Sequence, residues 1–123
     1  MRITLDRHPS ANLVTGVRPG EVRVGDQAIT RSAILSADRI IRDWPVASRD
    51  DIDRDALEPA LALEPEVLLV GTGARLEFPA GALVAELARR GVGLEFMDTA
   101  AACRTYNILI NEDRQVVAAL VIP

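Results

Sequence analysis

The stretch LLVGTGARLEFPAG, residues 68–81, decides how this chain is interpreted. An apolar run ends in Gly71-Thr72-Gly73, and Pro79 and Gly91 bracket the segment that follows. Proline at the start of a helix and glycine past its end are the usual asymmetry, so a helix is predicted over about residues 79–90. The glycines between strand and helix are typical either of a phosphate-binding loop or of a tight turn that needs φ > 0.

The second half of the chain repeats this pattern of a strand followed by a helix. Apolar runs at residues 66–70 and 93–97 predict two buried strands, and the helix between them makes the strands parallel. Asp55 is expected to cap a short helix over residues 56–63. Asp98 is expected to cap a further helix of small residues. This half is therefore predicted to be α/β.

The end of the chain allows two interpretations. Residues 107–110 form either the last turn of the preceding helix or a strand, and the alternation of isoleucine with asparagine favours the strand. Residues 116–122 are β-prone and follow a cluster of turn residues at 111–114. The sequence therefore predicts a C-terminal antiparallel hairpin, which makes the central sheet mixed.

The first half of the chain, up to about residue 50, consists of short β-prone segments separated by turns. Pro19-Gly20 is a strong turn signal, and Val22-Arg23-Val24 alternates as a strand with one wet face does. An N-terminal β-meander is predicted over residues 13–17, 22–24, 28–29, 33–35 and 40–41. The two halves are expected to form a single domain over residues 1–123, which at this size buries roughly two-thirds of the unfolded surface.

The composition excludes several kinds of chemistry. All fourteen basic residues are arginine, and the absence of lysine removes Schiff-base catalysis and the lysine of a P-loop. One histidine, His8, and one cysteine, Cys103, are too few for a His/Cys zinc site or an internal disulfide. Asp50, Asp51 and Asp53 lack the glycine and distal glutamate of an EF-hand, so they are expected to form a solvated loop with a helix cap. A carboxylate magnesium site stays open but has no signature in the sequence, so no metal or cofactor is assigned.

Charge and hydropathy limit the classes of partner and the cellular locations that are expected. The net charge is −4, the arginines are dispersed and the aromatic residues are few, whereas nucleic-acid binding proteins usually combine a basic stripe with stacking aromatics. No apolar run approaches the ~20 residues that span a bilayer, and the start MRITLDRHPS lacks the apolar stretch of a signal peptide. The protein is expected not to bind nucleic acid, not to span a membrane, and to be cytoplasmic.

The candidate site is the crevice at the carboxyl ends of the two parallel strands, where α/β proteins tend to bind ligands. Free N–H groups at the two helix starts could attract a small anion there. Tyr106 and Asn107 either line the crevice or fill the end of their helix. The candidate ligand-binding residues are Gly71, Thr72, Gly73, Asp98, Thr99, Tyr106 and Asn107.

A dinucleotide is the less favoured ligand. Asp98 does stand about 20 residues beyond the glycines, where a dinucleotide fold keeps its ribose-binding acid. However, Leu76 occupies the third glycine position of G-x-G-x-x-G, and five residues separate Gly73 from Pro79. The favoured interpretation is structural: glycines of a sharp turn and an aspartate that caps a helix. Two residues that could carry chemistry, Cys103 and Trp44, are likewise expected to be core residues.

Three motifs in the second half resemble a known family. LLVGTG with a following proline, G-x-x-x-E-x-M-D-T-x-A-A and T-Y-N-x-L-x-x-E-x-R-x-V-x-A-A-L are similar to the domain-of-unknown-function family 498. This family includes the mitochondrial complex I assembly factor three and an adipogenesis-associated animal protein. The resemblance covers nearly the whole chain, and its second half is the more specific. The matching residues are 68–73, Pro79, Gly91, Glu95, 97–99, Ala101, Ala102, 105–107, Leu109, Glu112, Arg114, Val116 and 118–120.

The resemblance implies a compact three-layer α/β domain with a mixed central sheet. It transfers no catalytic residues, and the family's mitochondrial member resembles an assembly protein that works by binding other proteins. We therefore expect a non-enzymatic protein-interaction or assembly module with a protein partner. The alternative is a small-anion or metabolite-binding protein, with enzymatic activity left open, that uses the crevice at residues 71–73 and Asp98.

Overall fold

The structure is a computed structural model that describes residues 11–123, so His8 lies outside the described residues. The helices in this range are α1 (Arg54–Leu61), α2 (Gly81–Arg89) and α3 (Thr99–Asn111), and a 3-10 turn at Arg49–Asp51 precedes α1. The strands are β1 (Val14–Arg18), β2 (Glu21–Val24), β3 (Gln27–Ile29), β4 (Ala33–Leu35), β5 (Ile40–Ile41), β6 (Val67–Gly71), β7 (Gly93–Met97) and β8 (Val116–Leu120).

The mixed central sheet is confirmed. Its five strands lie in the order β5-β4-β8-β6-β7. Strand β6 pairs in parallel with β7 on one side and with β8 on the other, so that Gly71 lies opposite both Met97 and Leu120. Strand β4 is antiparallel to β8 and to β5. The last strand in chain order is therefore the middle strand of the sheet.

Two layers pack on this sheet, one on each face, and give the three layers that the family resemblance implies. Both faces are buried, as expected for strands with continuous apolar runs. Because side chains alternate across a strand, Leu69 and Leu120 pack with α3 and the N-terminal strands. Leu68 and Val70 belong instead to the cluster that contains the buried residues of α1 and α2. The three-layer α/β arrangement is therefore confirmed.

The N-terminal meander is confirmed for its first three strands. Strands β1, β2 and β3 form a separate antiparallel sheet, joined by turns in which Gly20 and Gly25 have positive φ. Strands β4 and β5 are predicted to complete the same meander, but they belong to the central sheet. All three residues of β4 are buried, so this strand needs cover on both faces, which its place beside β8 provides.

The predicted C-terminal hairpin is wrong. Residues 107–110 continue helix α3, and β8 pairs with β4 and β6 rather than with a hairpin neighbour. The buried positions of the helix recur at helical spacing; they include Ala102, Cys103, Tyr106 and Ile110. Burial of this face against the sheet outweighs the alternation of isoleucine and asparagine, and Ile108 is left exposed.

The helix caps confirm one prediction and correct another. Asp98 caps α3, and its carboxylate accepts a hydrogen bond from the backbone N–H of Ala101 at 2.8 Å. The cap of α1 is Asp53, which accepts from Ala56 N–H at 2.8 Å, so the predicted Asp55 cap is wrong. Asp55 lies inside the helix, because α1 begins two residues earlier than predicted.

Candidate functional site

The carboxyl edge of the sheet brings five of the seven candidate residues together. Strands β6 and β7 are parallel and in register, so Gly71, Thr72 and Gly73 lie beside Asp98 and Thr99. The backbone N–H of Thr72 donates to Met97 O, and the N–H of Thr99 donates to Gly73 O, both at 2.9 Å. The loop after β6 and the start of α3 are therefore joined directly through their backbones.

Both glycines of the loop have structural reasons to be glycine. A Cβ on Gly71 would lie 2.9 Å from Thr99 Cα and 3.1 Å from Leu120 Cδ2, closer than packed atoms normally approach. Gly73 has a φ of 101°, which L side chains rarely adopt. The favoured interpretation of the sequence, a sharp turn that needs glycine, agrees with this geometry.

The Thr99 hydroxyl joins three segments at this edge. It accepts a hydrogen bond from Gly73 N–H at 2.9 Å and donates one to Val121 O at 2.7 Å, and both bonds are buried. The N–H of Val121 donates in turn to Gly71 O at 2.8 Å. A backbone donor that could hold an anion in a phosphate-binding loop, Gly73 N–H, is thus used inside the protein.

The Thr72 hydroxyl organises the long loop between β6 and α2. It donates to Arg75 O at 2.6 Å and accepts from Glu77 N–H at 3.0 Å. These bonds hold the first half of the loop on the protein surface. Thr72 is itself buried, so its side chain serves the conformation of the loop.

The start of α3 already carries a negative group. The Asp98 carboxylate accepts from Ala101 N–H and so lies where the helix dipole favours an anion. An incoming phosphate or sulfate would meet this carboxylate at the same helix end. The geometry therefore favours the capping role of Asp98 over the recognition of an anion.

Tyr106 and Asn107 lie about two helical turns beyond Asp98 and bind the N-terminal segment. The Tyr106 side chain is fully buried, and its hydroxyl donates to Asn12 O at 2.6 Å. The Asn107 amide donates to Val14 O at 2.8 Å and accepts from Val14 N–H at 2.9 Å, in the manner of a strand neighbour. These two residues fasten α3 to β1, and Asn107 borders a separate cleft between those elements.

A cleft of about 460 Å³ opens beside the carboxyl edge. Gly73, Asp98 and Thr99 line one side of it, and the hairpin between β1 and β2 lines another. The remaining lining residues are 121–123, which follow β8. Most of the surrounding side chains are apolar, and the lining residue Glu21 lies 3.5 Å from a guanidinium nitrogen of Arg23.

Sequence reasoning missed the hairpin and the residues after β8 as parts of this cleft. Pro19-Gly20 marks a turn, but no local pattern indicates that the turn folds over the start of α3. The one signal in the sequence was the apolar residue Val17 beside that turn. In the structure Val17 lines the cleft and is 41% exposed. These segments are distant in sequence, and only the tertiary fold brings them to Asp98.

The chemical repertoire around the site is small. Burial raises the pKa of the Cys103 thiol to about 12, against an ordinary 9.0, so the group stays protonated at neutral pH and is a poor nucleophile. Cys103 and Trp44 are buried core residues, as predicted. Among residues 11–123, no group of three or more His, Cys, Asp or Glu side chains is placed to hold a metal ion. Within the same residues, no helix has the length and apolar character needed to cross a membrane.

Curated proteins of similar sequence include animal assembly factors and a bacterial protein named for the membrane. A zebrafish (Danio rerio) protein named NADH dehydrogenase [ubiquinone] 1 alpha subcomplex assembly factor 3 is 44% identical over 106 residues, which are 85% of this chain and 57% of that protein. The Xenopus tropicalis protein of that name is 37% identical over 80% of this chain and 54% of its own. A Francisella tularensis "13 kDa major membrane protein" is 34% identical over 68% of each chain. The chain thus spans little more than half the length of the two animal relatives.

Solved structures share the fold over nearly the whole chain. A Bordetella parapertussis crystal structure superposes with a TM-score of 0.86 and 40% identity, covering 93% of this chain and 98% of the other. A Bordetella pertussis solution structure described as a Mth938-like domain has a TM-score of 0.82 and 33% identity, covering 99% of this chain and 92% of its own.

The family assignment rests on the match to a family model. The model described as "Protein of unknown function (DUF498/DUF598)" matches residues 14–121, which extend from the first strand of the described fold to just past the last. This range includes the loop after β6, the Asp98 cap and the whole of α3. The chain therefore belongs to the DUF498/DUF598 family of proteins of unknown function.

Proposed function

We propose that this protein is a non-enzymatic interaction module that assists the assembly of other proteins, as the relatives named complex I assembly factor do. The observation that carries the proposal is the 44% identity to the zebrafish factor over 85% of this chain. The chain spans only 57% of that relative. We therefore propose that this protein has a protein partner, but we do not assign it the partner of the relative.

The chemistry of the carboxyl edge supports this function. Thr72, Asp98 and Thr99 each make hydrogen bonds that hold the loop, the helix start or the strand ends in place. The Cys103 thiol is buried and its pKa is raised to about 12, which disfavours nucleophilic catalysis. The polar groups at this edge thus have structural roles, which favours a function through the binding of a protein at the surface over a function through catalysis.

Affinity capture tests the proposal. The full chain, tagged and expressed in cells of its source organism, is recovered from native lysate, and the captured proteins are identified by mass spectrometry. We expect a specific protein partner that is retained by Cys103→Ala and by Thr72→Ala, provided that circular dichroism shows both variants to be folded. A folded Thr72→Ala or Asp98→Asn variant that lost a measurable turnover or a small-molecule ligand would contradict the proposal.

A second candidate function is the binding of a small anion or metabolite in the cleft of about 460 Å³. The observation in its favour is that Gly73, Asp98 and Thr99 do line this cleft. Titration calorimetry with phosphate and sulfate tests it. Micromolar affinity for either anion, together with a changed affinity in the Asp98→Asn variant, would favour this candidate over the first.

Dinucleotides are expected not to bind. Leu76 stands in place of the third glycine, and the loop of residues 74–80 separates Gly73 from the start of α2, so a pyrophosphate cannot sit on that helix start as it does in a Rossmann fold. Calorimetric titration of NAD, NADP and FAD measures this directly. Micromolar binding of any of the three would defeat this prediction.

The cytoplasmic location predicted from the sequence, and the expected absence of nucleic-acid binding, belong to the same proposal. Cell fractionation with an antibody against the tag tests the location, and recovery in a washed membrane fraction would contradict it. Electrophoretic mobility of a labelled DNA duplex and of a single strand tests the second point.

A further inference from the structure

Helix α2 and the loop before it present an apolar surface to solvent. Phe78 is 70% exposed, Leu76 44% and Val84 39%, and the short apolar side chains around them are also exposed. The outer face of a surface helix is normally polar. We call this region the α2 surface; its residues are Leu76, Phe78, Val84, Ala85 and Ala88.

The neighbouring helix shows the usual arrangement. Helix α1 buries Leu57 and Leu61 on the same side of the sheet, and its exposed positions include Arg54 and Asp55. Helix α2 buries Leu83 and Leu87, but no charged residue occurs on its exposed face before Arg89. The apolar outer face is therefore a property of α2 and its loop, and not of this side of the fold in general.

The polar edge of α2 is turned towards α1. The Glu86 carboxylate lies 3.3 Å from a guanidinium nitrogen of Arg54. Val84, Ala85 and Ala88 lie within one turn of each other on the side that neither Leu83 nor Glu86 occupies. Val84, Ala85 and Ala88 thus share one face, and Phe78 precedes the first residue of the helix by only three positions.

Two exposed arginines flank the α2 surface along the chain. Arg75 precedes Leu76, Arg89 ends the helix, and neither has a carboxylate partner within the part of the chain that the structure describes. By contrast, Arg90 is paired with Glu58 at 3.2 Å. The Glu77 carboxylate, between Leu76 and Phe78, is held 3.9 Å from Arg49. The surface therefore has an apolar centre and a positive charge at each end.

We propose that the α2 surface docks an amphipathic helix of a partner protein, with an apolar face of about three turns and acidic residues at both ends of that face. The alanines allow close approach, since the distance between packed helices depends on the side chains at the contact. Phe78 is the anchor, because aromatic residues, phenylalanine among them, are enriched at the cores of protein interfaces. This inference rests on the proposed function and gives it a location and a kind of partner.

A second copy of the chain fits this surface less well than an acidic-ended helix. In a twofold dimer the same patch meets itself. Two α2 helices packed antiparallel would place Arg75 of each copy towards Arg89 of the other, and both are positively charged. A helix with acidic ends meets the same arginines with opposite charge, which favours the correct partner and register.

Site-specific photo-crosslinking tests the docking surface. A photoreactive phenylalanine analogue replaces Phe78 or Val84 in the full chain, expressed in cells of its source organism, and the crosslinked peptides are sequenced by mass spectrometry. The control position is Ile108 on α3, which is 57% exposed and belongs to the opposite layer. We expect positions 78 and 84 to crosslink to one partner segment that has apolar residues at helical spacing and Asp or Glu at both ends.

Charge and size variants give the second measurement. Phe78→Glu and Val84→Glu should each reduce the yield of the captured partner at least tenfold, and Arg89→Glu should also reduce it, whereas Ile108→Glu should leave it unchanged. All four side chains are exposed, so the variants are expected to fold, and circular dichroism checks this. Full retention of the partner by Phe78→Glu and Val84→Glu would overturn the inference.

The remaining outcomes separate this inference from the proposed function. Crosslinks from positions 78 and 84 to a second copy, to lipid, or to a segment without acidic ends overturn the inference. Crosslinking to a protein only from position 108 overturns it while the proposed function stands. A chain that captures no protein from any of the three positions contradicts both.

Discussion

At Gly71 the sheet and helix α3 leave no room for a side chain. A Cβ at this position would lie 2.9 Å from Thr99 Cα and 3.0 Å from Thr99 Oγ1. The backbone of α3 cannot move away freely, because the Thr99 hydroxyl is bonded both to Gly73 N–H and to Val121 O. The glycine that suggests a phosphate-binding loop in the sequence is thus required by packing.

We expect Gly71→Ala to destabilise the protein by about 1–3 kcal/mol, the usual cost of overpacking a tight core. The matched control is Gly81→Ala at the start of α2, where a Cβ meets no atom within 4 Å and φ is not positive. That variant should be slightly stabilised, by about 0.4–1 kcal/mol, because alanine restricts the unfolded chain. Urea denaturation measures both, and equal stability of the two variants would contradict the role given to packing at Gly71.

The sequence could predict where glycine is needed but not what it approaches. The strong turn signals and the strand before Gly71 follow from local patterns. The contact with Thr99 and Leu120 joins residues that are distant in the chain, and no local pattern reveals it. For this reason the choice between a ligand loop and a packing glycine could be favoured from the sequence but not decided.

At the scale of the helices, loss of the Asp98 cap should measurably destabilise the protein. The carboxylate accepts from Ala101 N–H at 2.8 Å, so Asp98→Ala should lower the free energy of unfolding by about 0.5–2 kcal/mol. Asp55→Ala is the control, because Asp55 lies inside α1 and the cap there is Asp53; it should change stability by no more than about 0.5 kcal/mol. Chemical denaturation compares them. Unchanged stability of Asp98→Ala would point to a role of Asp98 outside capping.

The Asn107 amide joins α3 to β1 by two hydrogen bonds to Val14, at 2.8 and 2.9 Å. We expect Asn107→Leu to cost about 1–3 kcal/mol, because it leaves the N–H and C=O of Val14 without these partners. Amide hydrogen exchange should show faster exchange at Val14. The neighbouring exposed Ile108→Ala is the control, and unchanged protection of Val14 in Asn107→Leu would contradict the role given to Asn107.

Element prediction succeeded where one pattern dominated and failed where two overlapped. Strand β7 has the predicted bounds, because its apolar run has clear turn residues on both sides. In residues 107–110, isoleucine alternates with asparagine while Cys103, Tyr106 and Ile110 follow a helical period. The helix prevails because its apolar face is buried against the sheet and Asn107 finds backbone partners in β1, and neither fact is local.

For the whole molecule, the buried thiol of Cys103 and the buried phenol of Tyr106 predict a loss of stability at alkaline pH. Burial raises the pKa of Cys103 from its ordinary 9.0 to about 12, and burial also raises the pKa of the Tyr106 phenol. The folded protein keeps both protons at pH values where the unfolded chain releases them. The contribution of these two protonated groups to the free energy of unfolding is therefore fully present below about pH 9. It is lost as the pH rises through the pKa values of the folded protein.

Urea denaturation at about pH 8 and about pH 11 measures this loss. Cys103→Ala removes one of the two groups, so its stability should fall less between the two pH values than that of the unchanged protein. A thiol reagent at about pH 8 should label Cys103 only after unfolding. Rapid labelling of the folded chain, or an equal fall in both proteins, would contradict the burial of the thiol.

The cleft beside the carboxyl edge is the part of the site that the sequence could not predict. Its residues come from β1 and β2, from the loop after β6, from the start of α3 and from the segment after β8. Each segment is recognisable by itself, but their meeting depends on the position of β8 between β4 and β6. The family resemblance supplied the layers, and the topology in detail needed the structure.

The central position of β8 also bears on how the protein is made. During translation the ribosome releases the chain from its N-terminal end, at about 5–20 residues per second. Strands β4 and β6 both have β8 as a neighbour, so neither can complete its pairing on the nascent chain before residues 116–120 have emerged. Until then the apolar edges of both strands stay open to chaperones. The sheet therefore closes only after residues 116–120 have left the ribosome.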